Sequence, residues 1–144
     1  MNQMRMTLVL DHIGIAVSDL PAMKRLFELL GVYITHSEPV PDQGVVTHFI
    51  TLPAEAPHLE FLEPVDPNGV IAQFIKKRGA GIHHLSFRVP AGELSGLCQK
   101  LVGAGIRLVY PEPKAGAHQM RINFIHPASA GGLLIELMEP ARQQ

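Results

Sequence analysis

The chain has 144 residues, of which 47% are hydrophobic and 17% charged, and its formal net charge is −1. This length fits one ordinary domain with a sizeable core, and the composition argues against a disordered chain. The near-neutral charge gives no electrostatic reason to expect nucleic acid or a membrane surface as a partner. The one cysteine, Cys98, excludes an internal disulfide and a thiolate metal cluster, and it agrees with a reducing compartment. We therefore expect a cytoplasmic protein with no targeting segment and no membrane-spanning segment.

The first half of the chain reads as a strand, a helix and three further strands. Residues 10–17 alternate between large apolar side chains and small or polar ones, which predicts a strand with one apolar face. Ser18 or Asp19 is expected to cap a helix that carries an apolar stripe at helical spacing and ends at Gly31. Three more strands are predicted, at 32–36, 45–52 and 58–63.

The second half repeats this order of elements. Residues 82–89 alternate in the same way and predict a strand. A helix is expected to follow, with Gly103 and Gly105 at its end. Three more strands are predicted, at 106–110, 120–126 and 133–138.

The repeated order predicts an α+β fold class, with two βαβββ modules in tandem inside a single domain, 1–144. Module one spans about 8–64 and module two about 81–140. The segment 65–80 is interpreted as a connector that carries a turn signal and a short helix.

Two histidines and two glutamates occupy matching positions in the two modules. His12 and His84 are 72 residues apart, and Glu60 and Glu136 are 76 residues apart. In its predicted strand, each of these four residues lies on the face opposite the large apolar side chains, because strand side chains alternate. The helices are expected to cover the apolar faces. The four polar side chains are therefore predicted to line the other, concave side and to share one site.

Two imidazoles and two carboxylates form a borderline-to-hard ligand set, which suits Co²⁺, Mn²⁺, Ni²⁺, Zn²⁺ or Fe²⁺. Four protein ligands leave up to two positions open on an octahedral ion, and open positions indicate catalysis rather than a structural role. The same alternation places His83 and His48 on the apolar faces. His58 shares the face of Glu60 and is the strongest rival ligand.

Seven stretches along nearly the whole chain carry a family resemblance. Two of them, L-D-H-I-G-I-A-V (10–17) and G-I-H-H-L-S-F (81–87), are typical of the vicinal oxygen chelate superfamily, and L-E-F-L-E-P (59–64) adds to the match. Within that superfamily the chain resembles the methylmalonyl-CoA epimerase family. The stretches more specific to the epimerases are P-D-Q-G-V (41–45), I-A-Q-F-I-K-K-R-G (71–79), E-P-K-A-G-A-H (112–118) and F-I-H-P-A-S-A-G-G-L-L-I-E-L (124–137).

The resemblance implies paired modules that form a curved, half-open barrel around a divalent metal, with His12, Glu60, His84 and Glu136 as the ligands. It implies Co²⁺ or Mn²⁺ as the cofactor, with Ni²⁺ or Zn²⁺ as alternatives. The implied activity is that of an isomerase, which shifts the α-proton of the acyl-CoA substrate methylmalonyl-CoA through a metal-stabilised enolate. A homodimer is expected by analogy.

One position departs from the family pattern and leaves the bases incompletely assigned. Some epimerases carry a glutamate, proposed as a base, at the position of Thr47, whose hydroxyl is far too weakly acidic for that role. Glu136 is the candidate for one catalytic base. The second base stays open between a metal-bound water and a residue of 111–118.

Two basic groups are further candidates, with an ordinary solvated role as an equal alternative for each. Lys76, Lys77 and Arg78 are candidates for the CoA phosphates. Lys114, His118 and Arg121 are candidates for the substrate carboxylate.

Two other functions compete with the epimerase. The first is a glyoxalase-I-type lyase, or another metal-dependent enzyme of the same superfamily, with the same site and a different pocket. The second is a non-catalytic binding module, which the four filled ligand positions argue against.

Overall fold

A computed structural model of the chain describes residues 7–53 and 57–141. The first six residues, on which the expectation of no targeting segment partly rests, lie outside this range. Within it, no helix has both the length and the apolar character needed to cross a membrane. The helices and strands, in chain order, are β1 Val9–Ala16, α1 Leu20–Leu29, β2 Ile34–Val40, β3 Val45–Ile50, β4 His58–Pro64, α2 Val70–Arg78, β5 Gly81–Arg88, α3 Leu94–Gly103, β6 Lys114–Ala115, β7 Met120–Ile125 and β8 Leu134–Pro140.

The chain divides into two compact units, and the division falls within β1. The first unit comprises residues 12–83, and the second comprises 7–11 together with 84–141. The α+β fold class and the repeated βαβββ order are confirmed. The connector helix is also present, as α2. The assignment of residues 1–144 to a single domain stays a prediction.

The first unit is a mixed sheet with strand order β2-β3-β4-β1. β1 runs parallel to β4, and the other neighbouring strands are antiparallel. Helix α1 packs on one face, where Val17, Ile50 and Phe61 form the buried core. On the opposite face, a second cluster joins sheet residues to Ile71 of α2. Hydrophobic side chains therefore cover one face and only part of the other.

The second unit repeats this pattern with strand order β5-β8-β7-β6, and β5 runs parallel to β8. Helix α3 packs on one face, where Leu94 and Cys98 of the helix meet Val89 and Leu137. All four of these side chains are buried. The alternation along β8 then turns Glu136 away from the α3 face, because it is the neighbour of Leu137.

The helix ends follow from local chemistry. Asp19, one of the two predicted caps, accepts a hydrogen bond on Oδ1 from the backbone N–H of Ala22 at 3.1 Å. Such a cap satisfies one of the N–H groups that a helix start leaves without a partner. At the other end, Gly31 adopts a left-handed φ of 80°, which a side chain would disfavour.

The strand predicted at 106–110 is wrong. Leu108 forms only an isolated bridge to Ile125, and the strand that follows α3 is the short β6. The reason lies at Tyr110, whose backbone groups bond to the side chain of Asn123. The N–H of Tyr110 donates to Asn123 Oδ1, and the carbonyl of Tyr110 accepts from Asn123 Nδ2, both at 3.1 Å. A side chain thus replaces the ladder bonds of a strand, and Pro111 next along the chain has no N–H to donate.

Candidate metal and catalytic site

The first unit brings His12 and Glu60 together. His12 Nε2 lies 2.9 Å from Glu60 Oε2, and the two side chains are only 10% and 12% exposed. The parallel register places Gly14 opposite Glu60 and His12 opposite His58, so the pair reaches diagonally across β1 and β4. This imidazole nitrogen and this carboxylate oxygen are both potential metal ligands, and they lie close enough to bind the same ion. The pair is therefore a possible His/Glu metal site.

His58, the rival ligand, stands beside this pair on the same face. Its ring stacks on that of His12, with the centroids 5.1 Å apart and the planes 29° from parallel. Its Nε2 lies 3.7 Å from Glu60 Oε1, the carboxylate oxygen that does not contact His12. The ring of Phe49 lies 6.2 Å from it on the next strand. His58 therefore contacts both members of the pair.

In the second unit, Glu136 accepts a hydrogen bond from a buried hydroxyl. Ser86 is 0% exposed, and its Oγ donates to Glu136 Oε1 at 2.8 Å. The two residues are direct partners in the parallel register of β5 and β8. His84 precedes Ser86 by two residues on β5, so it lies on the same face of that strand. The predicted ligands of this unit, His84 and Glu136, thus share one face.

Each module ends in the motif E-x-x-E-P, at residues 60–64 and 136–140. The second glutamate of each motif, Glu63 or Glu139, lies on the opposite, helix-bearing face. Glu139 is 2% exposed; it accepts from the backbone N–H of Leu94 at 3.0 Å and from Arg121 Nη1 at 2.9 Å. Glu63 lies 3.1 Å from His48 Nε2. These two glutamates contact residues of the helix-bearing face, on the side of the sheets opposite to Glu60 and Glu136. The predicted placement of His48 on the apolar face agrees with this contact.

Arg121 was a candidate for the substrate carboxylate, and that assignment is wrong. It is ion-paired with Glu139 and lies 3.4 Å from Ser95 Oγ, on the α3 face rather than the face of Glu136. The alternation along β7 dictates this, since Asn123, on the same face as Arg121, contacts Cys98 of α3. The two residues are direct partners in the antiparallel register of β7 and β8.

The other basic candidates have the following positions. Lys114 Nζ lies 4.3 Å from the centre of the Tyr110 ring, a cation–π contact. His118 has a left-handed φ of 56° just before β7. Lys76, Lys77 and Arg78 are exposed in the last turn of α2, where positive charge is favoured by the helix dipole.

Three other polar residues considered from the sequence are buried or partly buried: Thr47, His83 and Cys98. Thr47 is buried and pairs with Leu62. Burial lowers the pKa of His83, whose ring meets that of Phe74 edge-on at 4.9 Å. Burial also raises the pKa of the Cys98 thiol, so this residue is a core side chain rather than a nucleophile.

Comparison with known proteins gives consistent matches. Residues 11–124 match the model of the glyoxalase/bleomycin resistance protein/dioxygenase superfamily. An ethylmalonyl-CoA/methylmalonyl-CoA epimerase from Cereibacter sphaeroides is 37% identical over 131 residues, which are 89% of this chain and 95% of that protein.

Two solved structures are similar over most of their length. The crystal structure of methylmalonyl-CoA epimerase from Mycobacterium tuberculosis is 42% identical, with a TM-score of 0.77, and the match covers 93% of this chain and 89% of that one. A variant of the Streptomyces coelicolor methylmalonyl-CoA epimerase in complex with 2-nitronate-propionyl-CoA is 31% identical, with a TM-score of 0.74 and coverage of 94% and 96%.

Proposed function

The chain belongs to the glyoxalase/bleomycin resistance protein/dioxygenase superfamily, and we propose that within it the protein is a metal-dependent methylmalonyl-CoA epimerase. Relatives named for this reaction match about nine-tenths of the chain at 37% and 42% identity. The structural observation that supports the proposal, beside this similarity, is the contact between the nearly buried side chains of His12 and Glu60 at 2.9 Å. A binding module without chemistry would not need a buried imidazole and carboxylate in contact.

We propose His12, Glu60, His84 and Glu136 as the ligands of a divalent metal, with Co²⁺ or Mn²⁺ preferred over Ni²⁺ or Zn²⁺. The residues fit such an ion: imidazole nitrogens and carboxylate oxygens suit these metals, and no thiolate takes part. A carboxylate that is 12% exposed is costly to bury unless a cation or proton donor compensates its charge. When bound, the ion would stabilise the negative charge that develops on the thioester oxygen as the α-proton leaves.

Glu136 is proposed to accept the α-proton of methylmalonyl-CoA on one face of the carbon. Epimerisation then requires a proton to return to the opposite face, which needs a second acid–base group. Thr47 is not that group, because its hydroxyl is too weakly acidic and its side chain is buried. The second group stays open between a metal-bound water and a residue of 111–118.

The experiment is solvent exchange at the α-carbon. Purified protein loaded with Co²⁺ or Mn²⁺ should exchange the α-proton of methylmalonyl-CoA with D₂O, as followed by NMR. Glu136→Gln should lower the exchange rate by about 100-fold or more, because general acid–base groups contribute about 10²–10⁴-fold. Glu63→Gln, the control on the opposite face, should exchange at the wild-type rate. Turnover of a glutathione hemithioacetal with no exchange of the CoA thioester would favour the glyoxalase-I-type lyase instead.

Three further properties stay predictions. An acyl-CoA is the expected small-molecule partner, as in the complex of the similar Streptomyces coelicolor protein. A homodimer is expected by analogy and is testable by light scattering. A cytoplasmic location is expected from the single cysteine and is testable by fractionation.

A further inference from the structure

The two modules differ at the residue directly opposite the ligand glutamate. In the first unit Gly14 is the register partner of Glu60, and in the second unit Ser86 is the register partner of Glu136. The repeat therefore places a hydroxyl beside one glutamate and no side chain beside the other. The glutamate with the hydroxyl is the one proposed as a base.

The hydroxyl of Ser86 is committed to Glu136. Its Oγ lies 2.8 Å from Glu136 Oε1, the usual length of an O–H···O hydrogen bond. The thioether sulfur of Met138 lies 2.9 Å from the same Oγ, but a carboxylate oxygen is much the stronger acceptor for the single proton. Ser86 is 0% exposed, so water does not compete for this proton.

The environment of the first-unit glutamate is different. Glu60 has His12 at 2.9 Å from one oxygen and His58 at 3.7 Å from the other. Two imidazoles therefore lie against its two oxygens, and its register partner, Gly14, has no side chain. The two glutamates are alike in sequence position and unlike in how the surrounding side chains fix them.

We propose that Ser86 is a positioning residue for Glu136, in an inference that rests on the proposed function. The hydrogen bond fixes Oε1 and, with it, the plane of the carboxylate. The carboxylate is then held in one orientation relative to β5 and β8. A hydroxyl can also turn about its C–O bond, so it keeps its contact as the carboxylate gains and loses a proton.

Removal of such a supporting partner usually costs about 10–100-fold in metal affinity or activity. Ser86→Ala should therefore lower both the Co²⁺ affinity and kcat for α-proton exchange by about 10-fold. KM should change by less than about twofold, because the hydroxyl contacts Glu136 and not the CoA moiety. The visible absorption of bound Co²⁺ should shift, since one ligand is less well oriented.

The test compares four full-length proteins: wild type, Ser86→Ala, Ser86→Gly and Ser95→Ala. Ser86→Gly reproduces the residue of the first module, and Ser95→Ala removes an exposed hydroxyl of the same unit on the α3 face. The measurements are Co²⁺ titration followed by absorption, kcat and KM for exchange, and thermal unfolding of the metal-free chain. Similar losses for Ser86→Ala and Ser86→Gly, with Ser95→Ala at wild-type values, support the proposal.

Two results would overturn it. One is wild-type Co²⁺ affinity, spectrum and kcat in Ser86→Ala. The other is a loss in Ser86→Gly that greatly exceeds the loss in Ser86→Ala and follows the drop in unfolding temperature, which would assign Ser86 a packing role only. If the wild type binds Co²⁺ but exchanges no α-proton, the epimerase assignment fails, while the Co²⁺ affinities and spectra still decide the role of Ser86.

Discussion

Replacing Glu139 tests whether the two glutamates of each E-x-x-E-P motif have separate roles. Glu139→Gln preserves the shape of the side chain and removes its charge. The carboxylate is 2% exposed and accepts from two donors, the N–H of Leu94 and the guanidinium of Arg121. A glutamine has only one acceptor oxygen, so its amide nitrogen must face one of these two donors.

The expected cost follows from these contacts. Hydrogen bonds to a charged group are worth about 1.5–3 kcal/mol, and loss of a helix cap costs about 1 kcal/mol. Because Arg121 is 41% exposed, water can replace part of its contact. We therefore expect a loss of about 2–3 kcal/mol in the free energy of unfolding, which lowers the unfolding temperature by about 7 °C for a chain of this size.

Urea denaturation and calorimetry of the purified chain measure this loss. The matched control is Glu63→Gln, the repeat-related glutamate, whose side chain is 36% exposed and pairs with His48. Because Glu63 is more than a third exposed, water can replace much of this contact, and we expect a loss of about 1 kcal/mol. Equal losses in the two variants would refute the distinction between the buried Glu139 and the partly exposed Glu63. Loss of Co²⁺ binding in a folded Glu139→Gln protein would refute its structural role.

Two further outcomes are expected. Burial raises the pKa of the Cys98 thiol, so iodoacetamide at pH 8.5 should label it far more slowly in the native chain than in urea. The folded state favours the neutral thiol. Its contribution to the free energy of unfolding is therefore complete at pH values below the pKa of the thiol in the unfolded chain. That contribution is lost as the pH rises through the higher pKa of the thiol in the folded chain. Native labelling at the unfolded rate would contradict this burial. His58→Phe keeps an aromatic ring beside His12 but removes the nitrogen 3.7 Å from Glu60. We expect Co²⁺ affinity to fall by about 10–100-fold in titration, as for a residue that supports a ligand; complete loss of binding would make His58 a ligand.

The repeat and the alternation of side chains were readable from the sequence because both are periodic. The offsets between the paired histidines and glutamates indicated two modules, and period two along each strand assigned their faces. The same rule separated His83 from His84 and placed His48 on the helix-bearing face. It also assigns Arg121 to the face of Asn123 and Glu139 to the face of Leu137. Periodicity thus predicts the face of a side chain.

The contacts within each face were not readable, because they depend on pairing between distant strands. Nothing local to Ser86 indicates that it meets Glu136, 50 residues away. The strand predicted at 106–110 failed for a related reason, since its apolar pattern does not show that Asn123 takes the backbone groups of Tyr110. The alternation of side chains predicts only that His58 shares a face with Glu60. Its contact with His12 depends on the parallel register of β1 and β4, which the sequence does not show.

The dependence of α-proton exchange on metal tests whether the protein is a metal-dependent epimerase. The chain is stripped with a chelator, and Co²⁺ is added back in steps while deuterium incorporation into methylmalonyl-CoA is followed by NMR. We expect no exchange without metal, a rise in proportion to added Co²⁺, and a plateau at one ion per chain. Exchange at the full rate in the chelated protein would contradict it, and so would a fully loaded protein that leaves the α-proton in place.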